Sequence, residues 1–245
     1  MNYYYWNIIK LKRYIEKLFL AYIIFPLRRN IYSIARKIKC SYHVKGVCDS
    51  TYEWLRQHQK CGFLYTNLYP SENIIVPPAK TIPVGKTHRA LAHEHTYYMP
   101  ESFVGIVNNA SVDINSFSIA VVSPEGDVFA DMSQIYSFPI PDHPALNSIV
   151  TEPQQKLIGK TFLISVSAHP DNYSHWMFNA LPRIDLVKKC GIELESIDNF
   201  IVNDYSFSFQ KHTLGAFNIP DEKIVSTKEK VCFFTEELVV PSIDR

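Results

Sequence analysis

The alternation of strand-like and helix-like segments after residue 160 restricts the fold of this chain more than any other feature. Residues 161–166, 199–202 and 223–226 are short apolar runs typical of buried strands, and a further such run covers 236–241. Helical patterns lie between them at 173–190 and 207–217, and Pro182 is expected to kink or divide the first of these helices. The alternation predicts a parallel sheet with crossover helices, that is, a Rossmann-like α/β fold.

A β-rich region precedes this part of the chain. Short β-prone runs follow one another from about residue 103, and turn residues at 123–127 favour a hairpin between the runs 116–122 and 128–130. We therefore predict three regions: a basic amphipathic arm over 1–40, a β-rich region over 41–155, and the Rossmann-like domain over 156–245.

The basic residues are concentrated in the arm. Residues 1–40 hold nine Lys and Arg against one Glu, a net charge of +8, whereas the remaining sixteen basic and twenty-three acidic residues give −7. The body of the protein is thus not a nucleic-acid binder by charge. The longest apolar run of the arm has ten residues (18–27), and a spanning helix needs about 20, so we expect the arm to lie on a membrane surface or to pack on the protein itself.

The sequence contains no clear metal or cofactor motif. Its five cysteines form no Cys-x-x-Cys pair, which indicates neither a disulfide framework nor a zinc ribbon. His93, Glu94 and His95, with His88 nearby, do not have the His-Glu-x-x-His spacing, although a metal-dependent hydrolase remains an alternative. Glycine-rich nucleotide-binding loops are also missing from the sequence, so we expect neither a metal nor a bound cofactor.

Polar residues follow the strand predicted at 161–166 and open the next helix. In open parallel sheets the ligand crevice lies beyond the carboxyl ends of the strands, and a helix amino terminus there favours a phosphate or a developing negative charge. The loop and helix start hold the candidate residues Asp171, Asn172, Tyr173, His175 and Trp176.

These residues resemble a family signature. The string formed by Asn172, Tyr173, His175 and Trp176, followed by Leu181, Pro182 and Arg183, is similar to that of glycosyltransferase family 61. The similarity extends over about residues 70–245 and is specific mainly in this block. It implies an inverting, nucleotide-sugar-dependent transferase of two Rossmann-like domains (GT-B-like), which acts on a glycan acceptor in surface polysaccharide biosynthesis.

The resemblance also suggests a role for each residue. Inversion by direct displacement needs a base for the acceptor hydroxyl, and His175 is our candidate, with Asp171 as the competing one. Asn172 and Tyr173 would hydrogen-bond sugar hydroxyls, and Trp176 would offer a flat face to a sugar ring, although burial in the core is its more common role. Arg183 would pair with phosphate or else cap its helix.

The chain departs from the family pattern in two respects. Asn179 occupies a position that is often acidic in relatives, and an amide cannot serve as a base. The segments that relatives use in their second half are not found before Arg245, so we expect a truncated enzyme that lacks its donor-binding half and is inactive alone. The alternative is a non-catalytic binding or scaffold module on the same fold. We expect a cytoplasmic protein, peripheral to the inner membrane.

Deletion of residues 1–39 should release the protein from membranes, because the arm carries the cationic and aromatic residues that suit an anionic lipid surface. Sedimentation with anionic vesicles measures this. High salt should also release the full-length chain, since it screens these charges. Equal sedimentation of both forms would exclude membrane contact through the arm.

Overall fold

The computed structural model describes residues 44–58, 64–80, 88, 91–115, 117–135, 139–146, 155–167, 172–227 and 231–242. The predicted arm over 1–40 and the candidate Asp171 lie outside these residues. The described part of the chain is a mixed α/β fold around one large sheet. The strands before residue 150 are β1 (Gly46–Cys48), β2 (Leu64–Tyr69), β3 (Glu72–Val76), β4 (His95–Met99), β5 (Ser102–Asn108), β6 (Ser111–Asn115), β7 (Ser118–Val122), β8 (Asp127–Phe129) and β9 (Gln134–Ile135).

The elements after residue 150 contain the predicted alternation. In chain order they are β10 (Gln155–Leu163), α2 (Tyr173–His175), a π-helical turn (Trp176–Ala180), α3 (Pro182–Lys189), β11 (Asn199–Asn203), α4 (Ser208–Ala216), β12 (Ile224–Thr227) and β13 (Val231–Pro241). A further helix, α1 (Thr51–Gln57), lies between β1 and β2. Short 3₁₀ turns cover Ile140–Asp142, Pro144–Leu146, Leu194–Ser196 and Asp221–Lys223.

One sheet crosses the boundary between the β-rich and α/β regions. Its order is β1-β8-β7-β6-β13-β10-β11-β12, with β5 also on β13, β2 on β5, and β9 on β7. Strands β13, β10, β11 and β12 run parallel to one another, as the alternating pattern predicts. The strands from β5 to β7 pair antiparallel to their neighbours, and the predicted hairpin between β7 and β8 is confirmed by the pair Val122 and Val128.

Strand β13 is longer than its predicted form. The sequence suggests a strand over 236–241, but the strand begins at Val231 and has eleven residues. One edge of β13 pairs with β10, whereas its other edge pairs first with β6 and then with β5. Leu238, Val239 and Val240 are fully buried as a result.

The two faces of the parallel strands pack against different parts of the chain. Leu163 and Ile201 belong to a cluster with residues of the antiparallel strands and with Trp54 of α1. Their neighbours Phe162 and Phe200 point the other way, because side chains alternate along a strand. They pack in a second cluster with the helical residues Trp176, Ile184 and Leu214.

Strands β3 and β4 form a separate two-stranded sheet. Every residue of β3 is exposed, and so are all of β4 except Met99. In the part of the chain that the structure describes, no helix combines the length and the apolar character needed to span a membrane.

His143 is a buried titratable group that links two segments of the antiparallel region. Its Nε2–H donates to the carbonyl oxygen of Gln134 at 3.1 Å, and its Nδ1 accepts from the backbone N–H of Ala145 at 3.1 Å. The neutral ring is therefore satisfied at both nitrogens. Burial lowers the pKa of His143 from 6.5 to about 4, because an imidazolium would lose its hydration.

Acid should destabilise the fold through His143. The folded-state pKa lies below the unfolded one, so the unfolded chain takes up a proton first as the pH falls from 6.5 to 4. Neutral His143 contributes about 3 kcal/mol to the free energy of unfolding above pH 6.5. This contribution is lost as the pH falls from 6.5 to 4.

Urea unfolding of the wild type and of His143→Gln at several pH values tests this. The variant should be less stable near pH 7, and the difference between the two proteins should shrink towards pH 4. Other acidic groups titrate in both proteins and cancel in the difference. Parallel stability curves would contradict the assignment.

Candidate functional site

The carboxyl ends of four parallel strands meet at one edge of the sheet. Strands β10, β11, β12 and β13 end there at Leu163, Asn203, Thr227 and Pro241. The chain leaves β10 towards the candidate helix at this edge. The predicted site residues that the structure describes therefore lie where open α/β sheets bind their ligands.

Side-chain amides hold the segment that leaves β10. The backbone N–H of Val166 donates to Oδ1 of Asn203 at 2.8 Å. The next N–H, that of Ser167, donates to Oε1 of Gln134 at 2.8 Å. Since Gln134 belongs to β9, the antiparallel region also helps to position this loop.

Asn172 caps the helix that begins the site. Its Oδ1 accepts from the backbone N–H groups of Ser174 at 2.9 Å and His175 at 3.4 Å, which is the standard capping role of Asn. The sequence predicts that this side chain hydrogen-bonds sugar hydroxyls, and the cap occupies its oxygen. The structure thus gives Asn172 a structural role, and the sugar contact stays a prediction.

Pro182 divides the helix, as predicted, and a π-helical turn precedes it. Proline has no N–H to pair with the carbonyl of Phe178 four residues earlier, and its ring would clash with that carbonyl in a regular helix. The N–H of Leu181 bonds instead to the carbonyl of Trp176 at 3.0 Å, five residues back. Such turns often occur at functional sites.

His175 and Asn179 meet across this turn. Nδ1 of His175 lies 2.9 Å from Oδ1 of Asn179, and both side chains are half-buried. With the amide oxygen facing the ring, Nδ1 carries the proton and the lone pair of the neutral ring is on Nε2. Within the described residues, Nε2 has no hydrogen-bond partner. The ring is thus arranged to accept a proton.

The sequence did not identify Asn179 as a partner of His175. In the sequence, Asn179 stands out only as a departure from an acidic family position. Its spacing of four residues from His175 nevertheless places the two side chains on the same side of a helix. That spacing was the available signal.

Trp176 does not offer a face to a ligand, contrary to its predicted role in sugar binding. Only 4% of the residue is exposed, and its indole Nε1–H donates to Oγ1 of Thr213 at 2.9 Å. The apolar ring is buried between the site helix and α4, and Thr213 satisfies its N–H there. The exposed aromatic of the site is Tyr173, at 57%, whose ring lies edge-on to Phe209 with centroids 5.4 Å apart.

Arg183 also lies in the core, which corrects its predicted contact with phosphate. It is 4% exposed, and its Nη2–H donates to the carbonyl of Pro241 at 3.0 Å. Its Nη1 lies 3.5 Å from the carbonyl of Ser165. The guanidinium therefore joins the chain at the carboxyl ends of β10 and β13. It neither faces the crevice nor caps its own helix through these bonds.

A polar cavity of about 470 Å³ lies near the amino end of β11, whereas the candidate site lies at its carboxyl end. Its carboxylates hold an irregular part of β10. Glu236 accepts from the N–H of Gly159 at 3.0 Å and pairs with Lys156 at 3.3 Å, and these contacts lower its pKa. Asp198 accepts from the N–H of Lys160 at 2.8 Å. The carboxylates that line the cavity are therefore used to hold the backbone of β10.

The histidines at 88, 93 and 95 do not form a metal site with one another. Over the described ranges, no three His, Cys, Asp or Glu side chains are arranged to hold a metal ion. His95 lies in the exposed strand β4.

Comparison of the chain with protein-family models, with curated proteins and with solved structures found no match.

Replacing Arg183 by Met should lower the free energy of unfolding by about 1–3 kcal/mol, because the buried carbonyl of Pro241 would lose its donor. Denaturant unfolding measures this. Lys188→Met is the matched control, since Lys188 is an exposed cation of the same helix and its loss should change stability by less than about 0.5 kcal/mol. Equal stability of the two variants would contradict a structural role for Arg183.

Proposed function

We propose that this chain belongs to an inverting, nucleotide-sugar-dependent glycosyltransferase of surface polysaccharide biosynthesis, with His175 as its base. The observation that carries the proposal is the contact between Nδ1 of His175 and Oδ1 of Asn179, which leaves Nε2 as an acceptor at the carboxyl edge of the parallel strands. The resemblance of the surrounding sequence to glycosyltransferase family 61 supports the reaction class. We also propose that the parallel strands form one Rossmann-like half of a GT-B-like enzyme.

The chemistry requires one proton acceptor on the protein. Nε2 of His175 takes the proton of the acceptor hydroxyl while its oxygen bonds to the anomeric carbon of the donor. The bond from that carbon to the nucleoside diphosphate breaks on the opposite face, which inverts the configuration. The imidazolium then releases its proton to solvent. Asp171 is the competing base in this proposal.

The acceptor sugar packs on Tyr173 in this proposal. The phenol ring is exposed, and Phe209 fixes it from the edge. A second contact stacks the rings of Phe207 and Phe209 with centroids 5.5 Å apart, so the aromatic surface continues from α4 to Phe207 just before it. Tyr173 thereby takes the part that the sequence suggested for Trp176.

The arm over residues 1–40 would bring the enzyme to the cytoplasmic face of a membrane. Its net charge of +8 favours anionic lipid headgroups. Lipid-linked or surface-directed glycans would be accessible at that location.

A non-catalytic binding or scaffold module is the second candidate. It is favoured by the structural contacts of Asn172, Trp176 and Arg183, because three residues of the family-like string serve the fold itself. Such a module would bind a glycan without transferring sugar. Nucleotide-sugar turnover by a chain that also carries the donor-binding half separates the two candidates.

In a chain that also carries the expected donor-binding half, His175→Ala should lower sugar transfer by about 10²–10⁴-fold while the protein remains folded, since removal of a general base has this effect. His175→Gln should not restore it, because an amide accepts no proton. The assay is the acceptor-dependent release of nucleoside diphosphate from a panel of nucleotide sugars, with circular dichroism as the check on folding.

His212→Ala is the control, since His212 is an exposed residue of α4. It should transfer at the wild-type rate. Near-normal turnover by a folded His175→Ala protein would exclude His175 as the base. Glycan binding without any transfer by a wild-type chain that also carries the donor-binding half would favour the scaffold module.

A further inference from the structure

We infer that Asn179 is a positioning residue that holds His175 in the tautomer with the proton on Nδ1. The inference concerns the ring itself, and its catalytic meaning rests on the proposed function. It follows from the 2.9 Å contact between Nδ1 and Oδ1 of the amide. An isolated histidine ring exchanges between two neutral tautomers, whereas an acceptor fixed at Nδ1 favours one of them.

Both ends of this contact are held by the local structure. The capping bonds of Asn172 fix the turn that carries His175. On the other side, the bond from Leu181 N–H to the Trp176 carbonyl closes the π-helical turn that contains Asn179. Trp176 is itself anchored to Thr213. Residues with structural contacts therefore hold both ends of the pair, and the side-chain oxygen of Asn179 contacts the His175 ring.

An amide at this position acts differently from the carboxylate that the family resemblance suggests. Both groups accept a hydrogen bond from Nδ1–H, so both select the same tautomer. A carboxylate would also add a negative charge beside the ring, and would stabilise the protonated form. Asn179 orients the base without that charge. The tautomer should therefore survive Asn179→Asp and be lost in Asn179→Leu, which has a similar size and no acceptor.

The opposite orientation of the Asn179 amide would give His175 the opposite role, that of a hydrogen-bond donor. If its NH₂ group faced the ring, Nδ1 would be the acceptor and Nε2 would carry the proton. His175 would then donate a hydrogen bond into the crevice and could not act as a base from the neutral state. The position of the ring proton is thus the measurement that tests the inference.

The ¹⁵N shifts of the histidine ring in the uniformly labelled 245-residue chain report this position. The His175 signals are assigned by their loss in His175→Gln, and spectra are recorded at a pH where the ring is neutral. We expect the wild type and Asn179→Asp to show a protonated Nδ1, and Asn179→Leu to show mainly a protonated Nε2. A protonated Nε2 in the wild type, or an unchanged tautomer in Asn179→Leu, would overturn the inference.

Transfer kinetics of a chain that also carries the expected donor-binding half then separate this inference from the proposed function. Asn179→Leu should lower kcat by at least about tenfold with little change in the donor KM, but by less than the loss of the base itself. Asn179→Asp should recover most of kcat. If the tautomer responds as expected while His175→Ala transfers normally, the positioning holds and the proposed function fails. If His175→Ala loses activity while the tautomer is unchanged in Asn179→Leu, the proposed function holds and the positioning role of Asn179 fails.

Discussion

Strand β13 is the element on which the rest of the structure depends, because it pairs with parallel strands on one edge and with antiparallel strands on the other. One edge bonds to β10 from Phe233 to Val239, and the other bonds to β6 and β5. An interior strand that lost either partner would leave a row of backbone groups unpaired in the core, which is costly. The parallel and antiparallel strands are consequently joined in one sheet, although their sequences predict two different regions.

The segment that leads to the candidate site makes hydrogen bonds with both parts of the sheet. Arg183 connects the end of β13 at Pro241 to the segment that follows β10 at Ser165. Gln134 from the antiparallel region and Asn203 from β11 fix the next two residues of that segment. Polar side chains buried at a strand end are stable only when their partners are in place. The segment that leaves β10 is therefore held by both parts of the sheet as far as Ser167.

The local elements could be predicted from the sequence, but their partners could not. Apolar runs indicated β10, β11 and β12, and Pro182 indicated the break in the helix, because these signals are local. The antiparallel partners of β13 lie 117 to 137 residues earlier in the chain, and no nearby residue specifies them. Likewise the sequence indicated Trp176 and Arg183 as part of a motif. It could not distinguish a side chain that faces a crevice from one that faces the core, since the same residue types serve both.

The contacts divide the motif into residues that the fold requires and residues that it does not. Asn172 caps a helix, Trp176 packs between helices and Arg183 bonds two strand ends, so each has a sufficient structural reason to be present. No comparable contact in the described residues requires an imidazole at 175. The ring is half-buried, its one hydrogen bond runs to a neighbouring amide, and another polar residue would satisfy that amide as well. A functional interpretation of the motif must therefore begin with His175 and its orienting partner, and the other motif residues support it only by holding the helix in place.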